Sequence, residues 1–124
     1  MFLSLKHTEL DVYKVSRSFV HSCYYLTNQL PAEERFSMVS QIRRAALSVH
    51  LNISEGASRN SANERKRFFE IARGSCIEID AALDIAFDLG YLHHVDTAKI
   101  SASMVKCFQL LSGLIRAIEK SHRP

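Results

Sequence analysis

The sequence predicts an all-α protein, an antiparallel up-down-up-down four-helix bundle. Three observations point there. Four long segments repeat apolar residues at spacings of three and four. No stretch alternates polar and apolar residues with period two over the length of a strand. The two prolines, Pro31 and Pro124, stand between segments and at the last position, so neither interrupts a helix, where a proline costs about 3 kcal/mol. One domain over residues 1–124 holds all four segments, and a chain of that length buries enough surface to fold without disulfide or metal staples.

The first helix is expected over about 8–30. Val12, Phe19, Cys23 and Leu26 form its stripe, widened by Val15, Val20 and Tyr24, and Ser4 or Thr8 is a candidate cap. Pro31-Ala32-Glu33-Glu34 reads as a connection or as the first turn of the next helix, where proline is tolerated. The second helix is expected over about 33–58, because Val39, Ile42, Ala46, Val49, Ile53 and Gly56 keep a 3,4,3,4,3 seam. Small residues at Ala45, Ala46, Ser48 and Ala57 admit a close neighbour, and Gln41, Arg44, Ser48, Asn52, Glu55 and Arg59 follow another face.

The third helix is expected over 62–90. Ser61-Ala62-Asn63-Glu64 has the form of a capping box, in which Ser61 and Glu64 each take the other's amide. Phe69, Ala72, Cys76, Ile79, Leu83, Ala86 and Gly90 carry the seam, and Gly90 suits a left-handed helix end. The fourth is expected over 96–120, with Asp96 as N-cap and a stripe of Ile100, Met104, Cys107, Leu111, Leu114 and Ile118. Arg116, Lys120, His122 and Arg123 at its end complement the helix dipole. Helices of about 22–28 residues run about 33–42 Å. Short connections make sequential neighbours antiparallel, crossing near about 20°. Phe68, Phe69, Ile71, Ile85 and Phe87 spread round more than one side of helix three, and such a surplus predicts a homo-oligomer.

Composition narrows the function classes. A net charge of +3 and a pI of 8.9 permit nucleic acid as a partner without requiring it. Cys23, Cys76 and Cys107 are odd in number and lie in apolar runs, the pattern of buried free thiols in a reducing compartment. No CxxC or clustered Cys/His spacing suggests a metal. The adjacent pair His93-His94 suits a loop, because neighbouring residues diverge round a helix. The opening apolar run is too short for a signal peptide and no uncharged run is long enough to span a bilayer, so a cytoplasmic protein without membrane contact is expected. No P-loop, dinucleotide fingerprint or HExxH motif occurs, no cofactor is implied, and no enzyme activity is expected. Ser40, Ser48, Ser54 and Ser75 lack the local context of a nucleophile. Asn52 and Glu55 share a face without a His or Lys partner at helical spacing, which favours a packing hydrogen bond over catalysis. Tyr13, Tyr24, Tyr25 and Tyr91 read as core or interface aromatics with wet hydroxyls.

The most distinctive stretch runs Ser40-Gln41-Ile42-Arg43-Arg44-Ala45-Ala46-Leu47-Ser48-Val49-His50-Leu51-Asn52-Ile53-Ser54-Glu55-Gly56-Ala57-Ser58-Arg59. It resembles the signature of the bacterial four-helix bundle proteins first associated with intervening sequences in 23S ribosomal RNA genes. Arg67-Phe68-Phe69-Glu70-Ile71-Ala72-Arg73-Gly74-Ser75, Leu89-Gly90-Tyr91-Leu92 and Leu111-Ser112-Gly113-Leu114-Ile115 also fit. The resemblance covers nearly the whole chain, and its first two motifs are specific. It implies a four-helix bundle assembled as a ring, typically a pentamer, and kinship with the accessory protein of diversity-generating retroelements, which partners a reverse transcriptase and nucleic acid. It implies no established activity. Where the family usually has proline this chain has His50, so its second helix is expected to run straighter.

Charge is polarised along the chain. Residues 40–75 carry seven basic residues against three acidic, a balance of +4; residues 76–99 carry one against five, a balance of −4. Arg59, Arg65, Lys66, Arg67 and Arg73 are therefore candidate phosphate contacts at the helix 2–helix 3 end, with helix-end pairing as the competing reading. Arg43, Arg44, Asn52, Glu55, Phe68 and Phe87 are candidate oligomer or helix-packing residues, the arginines through ion pairs with Glu55, Glu78 or Asp80. The leading expectation is a non-enzymatic oligomeric scaffold or adaptor. The alternative is a module that binds RNA or an RNA–protein complex, with nucleic acid or a nucleic-acid-handling protein as partner. A ligand site in the bundle core is the third, and it lacks the inward carboxylates or His such sites need.

Overall fold

The computed structural model describes residues 2–121. Four α-helices carry the fold: α1 Asp11–Thr27, α2 Ser40–Ser58, α3 Ala62–Asp88 and α4 Ala98–Ser121, with no strand among the described residues. α1 packs on α2 and α4, α2 on α3, and α3 on α4, so the helices stand at four corners in chain order. His122 and Arg123, expected to complement the α4 dipole, lie outside the described residues.

The helix ends differ from expectation where the backbone found another partner. Thr8 does not cap α1. Its hydroxyl donates to the Leu5 carbonyl at 2.7 Å inside a 3₁₀ turn, Lys6–Glu9, and the apolar Leu10 takes the extended cap position with no side-chain cap bond. α1 stops at Thr27, after which tight turns (Gln29 N–H to Leu26 O, 3.0 Å; Leu30 N–H to Thr27 O, 3.2 Å) fold Leu30 back into the core. The approach to α2 is a 3₁₀ turn, Ala32–Glu34, and a π-helical turn, Arg35–Val39. This wide turn buries Val39 and leaves Phe36 exposed. The Tyr91 hydroxyl donates to Glu34 Oε2 at 2.9 Å, pinning the approach to the α3–α4 connection. That bond to Glu34 is the first cause of a raised Tyr91 pKa.

The α3 ends follow the sequence except that the capping box forms only in its Ser61 half, the Glu64 carboxylate facing Arg59 rather than the Ser61 amide. Ser61 Oγ accepts the Glu64 amide at 3.3 Å. Gly90, at φ +80°, stands one residue beyond the cap Leu89. Its amide donates to Phe87 O, and the Tyr91 amide reaches back to Ala86 O, both at 3.0 Å, the paired bonds of a Schellman end. His93 and His94 lie in the turn that follows. Asp96 Oδ1 accepts the Ala98 amide at 3.0 Å and so caps α4.

The seams close on one another. Val12, Phe19, Cys23 and Leu26 of α1 meet Ile42, Ala46, Val49 and Ile53 of α2, Phe69, Ala72, Cys76 and Ile79 of α3, and Ile100, Cys107 and Leu111 of α4. Burying a side chain such as Phe19 contributes about 1.5–3 kcal/mol. Some positions depart from the expected seams, Leu83 and Met104 being only partly buried. Ser16, fully buried, fills the α1 stripe between Val12 and Phe19, and Ile115 is buried where Leu114 and Ile118 are only half-buried. Ser16 and Thr27 are satisfied within α1, donating to Tyr13 O at 3.0 Å and Tyr24 O at 3.1 Å, and Ser75 donates across to Ser48 Oγ on α2 at 2.9 Å.

The three cysteines converge in this core from α1, α3 and α4. Burial, then the neighbouring Cys76, pushes the Cys23 thiol up to about 12. The hydrogen bond with Cys76, then burial, pushes Cys107 up as well.

Candidate interaction surface

The basic end between α2 and α3 is built on local bonds. Arg59 Nη2 reaches Glu55 Oε2 at 3.1 Å and its Nη1 lies 3.8 Å from Glu64 Oε2. The same guanidinium stacks 5.1 Å over the Phe68 ring, which is half-buried. Arg65 donates to the carbonyls of Asn60, at 2.9 Å, and Arg59, at 3.4 Å, closing the loop. Lys66 lies 4.0 Å from Glu119 on α4, and Arg73 donates to Ser112 Oγ at 3.4 Å. Arg67 is exposed and, among the described residues, makes no hydrogen bond or ion pair. Of the five candidate phosphate contacts, four thus bind their own chain.

The candidate packing residues divide in the same way. Arg43 faces α1 rather than an acidic side chain: Nε donates to Thr27 Oγ1 at 2.9 Å, Nη2 to Asn28 Oδ1 at 2.8 Å, and the guanidinium lies 4.7 Å over Tyr24. Asn52 Nδ2 donates to Ser48 O at 2.8 Å and Ser48 Oγ at 3.1 Å. Ser48 in turn accepts from Ser75, so this chain ties α2 to α3. Glu55 faces Arg59 and not Asn52. α2 runs as one α-helix through His50, whose Nδ1 stands 2.7 Å from Ser16 Oγ and whose ring tilts against Tyr13 at 4.6 Å between centroids.

Outside these contacts the helices leave large apolar side chains in the open. Phe69, expected among the surplus, is core; Ile71, Ile85 and Phe87 are exposed, as are Leu47 and Leu51 on α2, Ile77 on α3, and Val105 and Phe108 on α4. The last five fall off the core seams, so the seam spacing does not signal them. Their signal is a second apolar line one helix face away, Leu47 and Leu51 at i, i+4. Between α3 and α4 these side chains form a groove of about 480 Å³ lined by Ile77, Asp80, Met104, Val105, Phe108 and Gln109, with the buried Cys76 at its floor. It continues past Asp84 and Phe87 as a second hollow that shares Asp80, Met104 and Val105.

Chemically, the surface offers apolar contact and fixed charge. Among the described residues no three His, Cys, Asp or Glu side chains are grouped to hold a metal, and no helix is long and apolar enough to cross a membrane. A family model described as 23S rRNA-intervening sequence protein matches residues 8–113. No curated protein matches the chain.

Proposed function

The chain belongs to the 23S rRNA-intervening sequence protein family, and we propose that it acts as a non-enzymatic homo-oligomeric scaffold or adaptor, a closed ring of five copies. The observation that carries this reading is the exposed apolar surface on α2, α3 and α4. Leu51, Ile77, Ile85, Phe87 and Val105 are each more than half exposed on the isolated chain, and clustered apolar surface of this kind marks a contact face. The number five comes from the family resemblance. The reading without catalysis is supported by Asn52, Ser48 and Ser75, whose polar groups bond to one another between α2 and α3. Multi-angle light scattering tests the proposal: a species of about five chain masses supports it, and a species of one chain mass, 14.1 kDa, overturns it.

A second reading, a nucleic-acid or nucleic-acid-handling partner, is favoured by one observation, the uncommitted and exposed Arg67. A ring would repeat that cation once per copy. Filter binding of RNA across a salt series tests it. A steep loss of binding with salt, reduced in Arg67→Ala, supports it; a salt-independent response unchanged by the substitution removes it.

A further inference from the structure

We propose that neighbouring copies join through two unlike faces: the outer stripe of α2, formed by Arg44, Leu47 and Leu51, seats in the α3–α4 groove of the next copy. This rests on the homo-oligomer reading above and names the surfaces that would build it.

The stripe and the groove match in chemistry. Leu47 and Leu51 are 41% and 57% exposed; Ile77, Val105 and Phe108 in the groove are 55%, 53% and 39% exposed. Each set is apolar and open in the isolated chain. The charges beside them are opposite. Arg44 stands one turn before Leu47 on the stripe, and Asp80 and Asp84 line the groove beside Ile77 and Phe87. All three are exposed, and among the described residues none of them makes a hydrogen bond or ion pair. Arg73, one turn before Ile77 on α3, is bound to Ser112 of α4. An apolar trough with an acidic lip suits a helix that presents leucines and a basic residue on one face, and the α2 stripe has that composition.

The faces also match in length and placement. Arg44 and Leu51 are seven positions apart, as are Ile77 and Asp84, and each stretch covers about 10 Å of helix. The stripe lies on the side of α2 away from Ala45, Val49 and Ile53, which are buried, so it is not part of the intrachain packing. Stripe and groove belong to different sides of the bundle. Because they lie on different sides, one copy cannot engage both patches with the same partner; copies join head to tail, and a head-to-tail contact closes into a ring when the rotation allows it.

The test uses charge reversal in the full chain. Arg44→Glu alone, and Asp80→Lys with Asp84→Lys, are each expected to raise the concentration needed for half-assembly by about tenfold or more. The chain carrying all three substitutions is expected to recover assembly. Circular dichroism reports whether each variant keeps its helices. A second measurement does not depend on charge. In a chain with Leu47→Cys and Val105→Cys, a short bismaleimide is expected to link copies into a ladder of trimers and larger species, while either cysteine alone yields no linked product; the native thiols are buried. Wild-type oligomers that persist unchanged in the charge variants, with no ladder, overturn these faces and leave the oligomer reading standing, as do covalent dimers from a single-cysteine chain. A wild-type chain that is monomeric before any substitution overturns both.

Discussion

His50 Nδ1 on α2 lies 2.7 Å from Ser16 Oγ on α1. Ser16 Oγ is also within hydrogen-bond reach of the Tyr13 carbonyl at 3.0 Å, so the hydroxyl links the imidazole to the α1 backbone, and the imidazole tautomer sets which of Ser16 and His50 donates. The bond is a side-chain tie between two helices.

The tie makes stability depend on pH. Burial first, and then the charges of Arg17, His21 and His7 that face it, hold the His50 pKa below its ordinary 6.5. In the unfolded chain the ring returns to 6.5. As pH falls through that value the unfolded chain takes up a proton that the folded chain refuses, so the contribution is complete above 6.5 and is lost below it. The melting temperature is expected to drop as pH is lowered from about 7 to about 5, and less so in His50→Gln. Equal drops in the two proteins would show that His50 is not responsible.

Gly56 separates a packing glycine from a permissive one. A Cβ there would lie 2.9 Å from Phe69 Cε1 and 3.0 Å from Phe68 Cβ, whereas a Cβ at Gly113 meets nothing within 4 Å. Gly56→Ala is expected to destabilise by about 1–3 kcal/mol, as overpacking does. Gly113→Ala is expected to stabilise by about 0.5–1 kcal/mol through helix propensity. Urea denaturation of the two variants checks the opposite signs.

Arg43 latches α2 to the end of α1 through two hydrogen bonds and a ring contact. Arg43→Ala is expected to cost about 1–3 kcal/mol. Arg43→Lys is expected to recover little, because a lysine keeps the charge but lacks the planar fork. Full recovery by lysine, read from the denaturation midpoint, would mean that charge alone is at work.

The thiols are expected to be silent in the folded protein. Cys23, Cys76 and Cys107 are buried, and the raised pKa values of Cys23 and Cys107 leave almost no thiolate at neutral pH. A thiol-specific chromogenic reagent is expected to titrate none of them until denaturant is added, and then all three. Rapid labelling of the folded chain would contradict the core described above.

Most of the architecture was legible because it rests on periodicity. The α2 and α3 seams, the Ser61 cap and the left-handed Gly90 are local consequences of residue type and spacing. Ser16 was not legible, since a buried hydroxyl depends on a carbonyl and an imidazole that only folding brings near. The same holds for the basic end: arginines that look like phosphate contacts in sequence turn toward loop carbonyls, Glu55 and Glu64 once the chain closes. The outer leucines of α2 were readable in principle, but a core seam of three- and four-residue steps on the same helix draws the eye first.

The account turns on the apolar outer faces being covered by copies of the same chain. A native mass spectrum of the unmodified protein at micromolar concentration is the most direct measurement. A dominant species of five 14.1 kDa chains is the predicted result. A single chain as the dominant species, unchanged on raising the concentration, would contradict it.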